Sequence, residues 1–432
     1  MNLMRTALLC FFAAAASAYS PQTTSTGIPL RRTDATNVKF LVNVNGAALI
    51  TAGSDPMPAL QAAANTWSNV PTSTVKFAPL EMSPAVNDPS DDLNVIVFLD
   101  TPENRSVVGS ALAVTEIMFY TDGRIIESDI IFNPTVSFST TLAPKTFDLQ
   151  SVAAHEMGHA LGANHSGLLA ATMYQATTVQ ANSQTRLSAD DRAFVTDLYP
   201  APSAAAAYGT ISGKVSLTTG EPVQGALLVA IDPATGISVG GFSSAFDGTY
   251  SFKVPRGSYL LYAEPADGPV FPGDLYLPDD LVNTSFQTGF FGGIASPQLV
   301  DVTLGQASAN IVVTAGPPPF DIQFVGTGGM AGSGDAVVST GVALLTAGQP
   351  IDLVLSGPGL DSTVTQDEVR LLGAGITIRP DSIRIDPRIT INGERPLRVT
   401  VDVAPRTDPG VVSVLVVKNS AAVAFSGCLL VR

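Results

Sequence analysis

His155-Glu156-Met157-Gly158-His159-Ala160-Leu161-Gly162-Ala163-Asn164-His165-Ser166 is the stretch on which the reading of this chain turns. Leu149, Val152, Ala153, Met157 and Leu161 have helical spacing, the Asp148 carboxylate stands where it can cap the free N–H groups, and Gly162 stands where the helix should stop. Residues four apart on a helix share one face, so His155 and His159 present ring nitrogens to the same point. Gly162 tolerates the left-handed backbone that a β-carbon resists, which lets the chain turn and His165 supply a third nitrogen. Three protein ligands with a fourth position open are the pattern of one catalytic zinc ion, and neutral imidazole suits that ion. Glu156 neighbours the first ligand without being one. It is therefore the expected general base, taking a proton from zinc-activated water and delivering it to the leaving amine. All 3 histidines of the chain fall between positions 155 and 165. Histidines scattered over an ordinary helix would not also bring the glutamate, the glycine and the third histidine to matching places.

Outward from this stretch, His155-Glu156-x-x-His159-x-x-Gly162-x-x-His165 resembles the elongated zinc motif of the metzincin metallopeptidases. Ser166 after the third histidine, and Ala171-Thr172-Met173-Tyr174 downstream, are similar to the matrixin branch and its Met-turn. The resemblance implies an apolar floor under the metal at Met173, and no tyrosine ligand, because the position metzincins use for one holds Gln175. Leu187 to Tyr199 resembles the C-terminal matrixin helix with its paired aspartates, so Asp190 and Asp191 would tie that helix to the Met-turn or to the N-terminal segment, or form a solvated face. The family's substrate-pairing strand would fall on the backbone of Gly109, Ser110, Ala111, Leu112 and Ala113, aligning an extended peptide by β-augmentation. No cysteine precedes the domain after the leader, so the thiolate latch of many matrixins is absent. Calcium would suit Asp122, Glu127 and Asp129, although solvated hairpin charges are the plainer expectation for all three.

At 432 residues the chain exceeds one ordinary core. Hydrophobic residues at 45% against 14% charged exclude a mainly disordered chain. A net charge of -15 would repel nucleic acid and anionic lipid, leaving proteins or peptides as the expected partners. Arg5, the apolar run from Ala7 to Ala16 and the small residues Ala16-Ser17-Ala18 read as a cleaved secretory signal over residues 1–18, too short to span a bilayer. Cleavage there removes Cys10 and leaves Cys428 as the last thiol, so no intrachain disulfide is expected. A secreted, extracellular location follows, with the periplasm or a cell surface as variants of it.

Two Pro/Ala-rich stretches, Pro200 to Ala207 and Ala315 to Pro319, divide the rest. The expected architecture is multidomain: a short segment over 19–36, an α+β metzincin-type catalytic domain over 37–200, then two β-sandwich domains over 208–314 and 320–432. In the first, strands are predicted at Val38 to Val44, Leu93 to Leu99, Ser110 to Tyr120 and Arg124 to Phe132, with a hairpin at Asp122-Gly123, and helices at Met57 to Trp67, from Asp148 and from Ser188. Gly209 to Val215, Asp247-Gly248-Thr-Tyr250 and Gly257-Ser-Tyr259 resemble the carboxypeptidase regulatory-like sandwich, and Gly357-Pro-Gly-Leu360 looks like bacterial immunoglobulin-like modules. Neither carries a catalytic motif. The functional expectation is a secreted zinc endopeptidase acting on extracellular proteins, against the alternative of an inactive zinc-binding adhesion protein.

Overall fold

The computed structural model describes residues 21–46, 50–51, 54–243, 247–268, 270–275, 282–330, 337–339, 342–348, 350–405 and 410–431, so the leader expected over 1–18 lies outside the described residues. The chain divides into two compact units, one of Ser20–His165 and Thr172–Ala207, the other of Ser166–Ala171 and Tyr208–Arg432.

In the first unit a 6-stranded sheet is built from β1 (Arg31–Arg32), β2 (Leu41–Asn43), β3 (Glu81–Met82), β4 (Val95–Val97), β5 (Ala113–Phe119) and β6 (Arg124–Phe132). β6 is its axis. β1 and β4 run parallel to β6, β2 continues the parallel order beside β4, and β5 folds back antiparallel to β6 across the turn at Asp122 and Gly123. Gly123 sits there at φ 84, where glycine has no steric cost. β5 has no second strand partner among the described residues, so one backbone edge of it stays open.

Helix α1 (Pro56–Ser68) is capped by Asp55, which accepts from the Met57 N–H, and buries Leu60, Ala63, Ala64 and Trp67. Helix α2 (Pro102–Val108) was not expected from the sequence, although Thr101 followed by a proline is a helix start: its hydroxyl accepts from the Asn104 N–H. Helix α3 (Leu149–Ala160) opens at Asp148, whose carboxylate accepts from the Ser151 N–H at 2.8 Å. Helix α4 (Ala189–Leu198) has Ser188 and Asp191 in a reciprocal capping box. The indole of Trp67 donates to the Ala154 carbonyl at 2.8 Å and meets Phe194 edge-on at 6.3 Å, so one buried ring ties α1 to both α3 and α4.

Three expectations change. The strand predicted from Ser110 begins only at Ala113, because α2 and its turn occupy the residues before it. Residues 21–32, left outside the domain by the sequence, belong to its packing: Gln22 N–H donates to the Gly162 carbonyl and Arg31 N–H to that of Gly123. The stretch 200–207 is likewise anchored, with Ala201 N–H bonded to Thr72, the Ser203 hydroxyl to Pro71, and Ala204–Ala207 helical.

In the second unit, Leu227–Ile231, Ser238–Phe242, Ser258–Glu264, Gly289–Phe290 and Leu299–Asp301 make one sheet, and Tyr208–Leu217, Thr249–Pro255, Gln306–Ser308 and Ile311–Val313 make another. Beyond Phe320, sheets of 6 and 4 strands follow, the smaller formed by Ala343–Leu345, Val369–Leu372, Gly410–Lys418 and Ala421–Val431. Cys428 is fully buried in the last of these, and burial pushes its thiol up to about 12. No described helix is long and apolar enough to cross a membrane.

Candidate metal centre

α3 carries His155 and His159 on one face, and its end brings in the third ring. Gly162 takes φ 93, its N–H donates to the His159 carbonyl, and the Ala163 N–H donates to that of Gly158, which together close the helix by a left-handed turn. The chain then doubles back and sets the ligand atoms of His155, His159 and His165 within 4.8 Å of one another. The ring centroids lie 4.7, 5.2 and 5.0 Å apart.

The fit of a metal ion rests on which nitrogens are engaged. Nδ1 of His155 lies 2.8 Å from the Thr172 carbonyl, and Nδ1 of His159 lies 2.8 Å from that of Ala163. A carbonyl oxygen only accepts, so both Nδ1 atoms carry a proton, and in the neutral rings that bind a metal both Nε2 atoms present a bare lone pair. Those two Nε2 atoms are 3.1 Å apart. Facing lone pairs repel unless a cation lies between them, and three neutral imidazoles are the donor set that suits zinc. Burial pushes the His159 imidazole well below its usual range, helped by the closeness of the His155 and His165 rings, which keeps the ring neutral and able to ligate.

Glu156 is 5% exposed. The Thr115 hydroxyl, from β5, lies 2.7 Å from its Oε2 and fixes the carboxylate between α3 and the sheet. Burial pushes this carboxyl up, while the neighbouring His155 and the Thr115 bond pull it down. Met173 is 3% exposed and lies against Gly158, where a β-carbon would overlap its sulfur and come within 2.8 Å of Trp67 Cζ2. The zinc motif leaves position 158 unspecified, yet the structure has no room for a side chain there, because Met173 and Trp67 fill the space. Asp191 does tie α4 to that turn: its carboxylate accepts from the N–H groups of Thr172 at 2.8 Å, Met173 at 3.1 Å and Ser188 at 2.7 Å. Asp190 and Asp191 are each 1% exposed, which excludes the solvated face.

The segment proposed to pair with substrate is not all strand. Gly109 caps α2 at φ 53, and Asn133 occupies the carbonyls of Ala111 (2.8 Å, side chain) and Leu112 (2.9 Å, backbone). Of Gly109, Ser110, Ala111, Leu112 and Ala113, only Ala113 lies in β5. Sequence reasoning also missed Thr115, which no motif spacing marks.

The acidic residues near the hairpin separate. Asp122 is exposed and paired with Arg124 at 2.8 Å. Glu127 and Asp129 are each 2% exposed and hence not solvated hairpin charges. They accept from the backbone N–H groups of Asp92 and Val95, and Asp129 Oδ2 is buried with no hydrogen bond. Burial, reinforced by neighbouring acids, pushes Glu127 up to about 7 and Asp129 up to about 8.

Replacing Gly162 by alanine is expected to destabilise the fold by about 2–4 kcal/mol, combining the left-handed strain with overlap against the Leu30 carbonyl. Because His165 hangs from this turn, zinc retention in a chelator series should fall with it. An alanine variant with an unchanged denaturation midpoint would contradict this account of the turn.

No curated protein matches the chain. Among solved structures it is similar to the major pilin subunit BcpA of Bacillus cereus, at 9% identity over 52% of this chain and 67% of that one with a TM-score of 0.15. A variant of that pilin gives 10%, 52%, 68% and 0.16. At such TM-scores the likeness carries no argument. A sequence profile of the matrixins, peptidase family M10, matches residues 36–200. That span contains α3, its turn and all three converging imidazoles, and it is the part of the chain that is similar to the matrixins, a family of zinc metallopeptidases.

Proposed function

We propose that the protein is a secreted zinc endopeptidase that cleaves extracellular proteins, with Glu156 as general base. The observation that carries this is the pair of Nε2 lone pairs 3.1 Å apart, each ring held by a carbonyl at its far nitrogen, beside a buried carboxylate that is not itself a ligand. Zinc, when bound, supplies a Lewis acid for the scissile carbonyl and makes water more acidic. Glu156 takes the proton of the attacking water and hands it to the departing amine, and Thr115 holds the carboxylate in line for both transfers. The open edge of β5 receives an extended peptide by main-chain pairing, which suits cleavage within a chain rather than at its end. Residues 1–18 supply the secretory signal. The two pairs of sheets after residue 207 are read as β-sandwiches that act as spacers or adhesion modules.

The test is to digest a mixture of folded-protein-derived peptides with the zinc-loaded protein and to sequence the new ends. Internal cuts at a consistent distance from neither terminus are expected. Stoichiometric zinc with no cut in any peptide would instead favour the adhesion reading.

Calcium is the proposed second metal, held by Glu127 and Asp129, since Asp129 Oδ2 is buried and bonded to nothing. Both folded-state carboxyls are raised, so without a cation their contribution favours the fold at low pH and is lost as pH rises through about 7 and about 8. Calcium should therefore raise the melting temperature of the zinc-loaded protein more at about pH 9 than at about pH 6. In Asp129→Asn that difference should vanish. Equal calcium shifts at both pH values would remove this site from the account.

A further inference from the structure

The N-terminal segment reaches the metal centre from behind. Pro21 bridges to Ala163, Gln22 N–H donates to the Gly162 carbonyl, and Leu30 N–H donates to the Gln22 carbonyl, so the backbone on either side of Gln22 is pinned to the end of α3. The Gln22 side chain is buried, with its amide nitrogen 3.2 Å from His159 Nδ1 and its Oε1 buried without any hydrogen bond. The same Nδ1 lies 2.8 Å from the Ala163 carbonyl and must donate to it. A nitrogen that donates to one neighbour does not accept from the other, so the amide end facing the ring has to be its oxygen. Turning the amide by half a rotation satisfies His159 and gives the orphaned Oε1 a donor in one step.

We propose that Gln22 is a positioning residue for the metal centre: its amide oxygen shares the Nδ1 hydrogen of His159 with the Ala163 carbonyl, holding that ring in the tautomer and orientation that aim Nε2 at the ion. The proposal rests on the zinc reading above and adds to it that the chain from Pro21 to Leu30, which lies before the family-matched span, is a working part of the site. A second acceptor on a ligating imidazole raises ligand basicity and restrains the ring, and loss of such a partner typically weakens metal binding by roughly 10–100-fold. It also links the integrity of the N-terminal segment to metal retention: a cut that frees residue 22 from Gly162 removes the acceptor.

The experiment compares the full chain with Gln22→Met, which keeps length and apolar volume but has no acceptor of use, and Gln22→Glu, which keeps only acceptors. Zinc affinity is measured on metal-free protein by competition with a chromogenic chelator, alongside the cobalt absorption spectrum and the melting temperature of the metal-free form. Expected is a zinc Kd raised about 10–100-fold in Gln22→Met with a changed cobalt spectrum, and near-native affinity in Gln22→Glu. A merely structural role would lower metal-free melting in the methionine variant and leave the affinity of the folded fraction alone; that outcome overturns the proposal. So does a glutamate variant as weak as the methionine one. Wild-type protein that binds no zinc would overturn the peptidase reading instead, a result separable from either variant's.

Discussion

Glu156→Gln is expected to keep zinc at full stoichiometry while hydrolysis falls by about 10²–10⁴-fold, the usual contribution of a general base. The amide fits the same buried space and still accepts from the Thr115 hydroxyl, so the fold and the three imidazoles are untouched. What it loses is the ability to take a proton. The readout is kcat on a cleaved peptide, with zinc content measured on the same preparation. If kcat survived, the proton would have to go to a group other than Glu156. Thr115→Val should act in the same direction and less strongly, since it removes the hydroxyl that reaches the Glu156 carboxylate and main-chain carbonyl but leaves the carboxylate itself in place.

Asp191→Ala should be the most damaging substitution away from the ligands. Its carboxylate accepts from three backbone N–H groups and from the Ser188 hydroxyl. Removing it leaves the Thr172 and Met173 amides, at residues 0% and 3% exposed, with no acceptor. Hydrogen bonds to a charged group and the stranding of buried donors each amount to a few kcal/mol, so a loss of about 4 kcal/mol is expected in chemical denaturation. The effect should reach the metal, because the Thr172 carbonyl holds His155 Nδ1. Asp191→Asn, which retains one accepting end, should fall between. An alanine variant that kept both its midpoint and its zinc affinity would mean that α4 does not support the Met-turn.

Much of this was legible in the primary sequence, for identifiable reasons. The i and i+4 histidines, the glycine after them and the third histidine are a local pattern, set by helix geometry and one positive φ, and the structure closes them as that pattern requires. The caps at Asp148 and Ser188 are local too, needing only a short polar side chain near free N–H groups. Strand ends were less legible. The run from Ser110 looked extended, yet Thr101 and Pro102 start a helix whose C-terminal turn consumes the residues ahead of Ala113.

What sequence alone settled is therefore the chemistry available: three imidazoles, one carboxylate and a turn, all within a single helix and its exit. Tertiary structure decided what surrounds them. Gln22, Thr115 and Asp191 lie far from the motif along the chain or carry no fixed spacing to it, and each acts through a contact made only when separate segments pack. The same holds for Gly158, whose missing side chain has meaning only because Met173 and Trp67 fill the space. Local geometry propagates along a chain by hydrogen bonds a few residues long and can be read in one dimension. Burial and partner choice depend on which distant surfaces meet, and that exists only in the folded molecule.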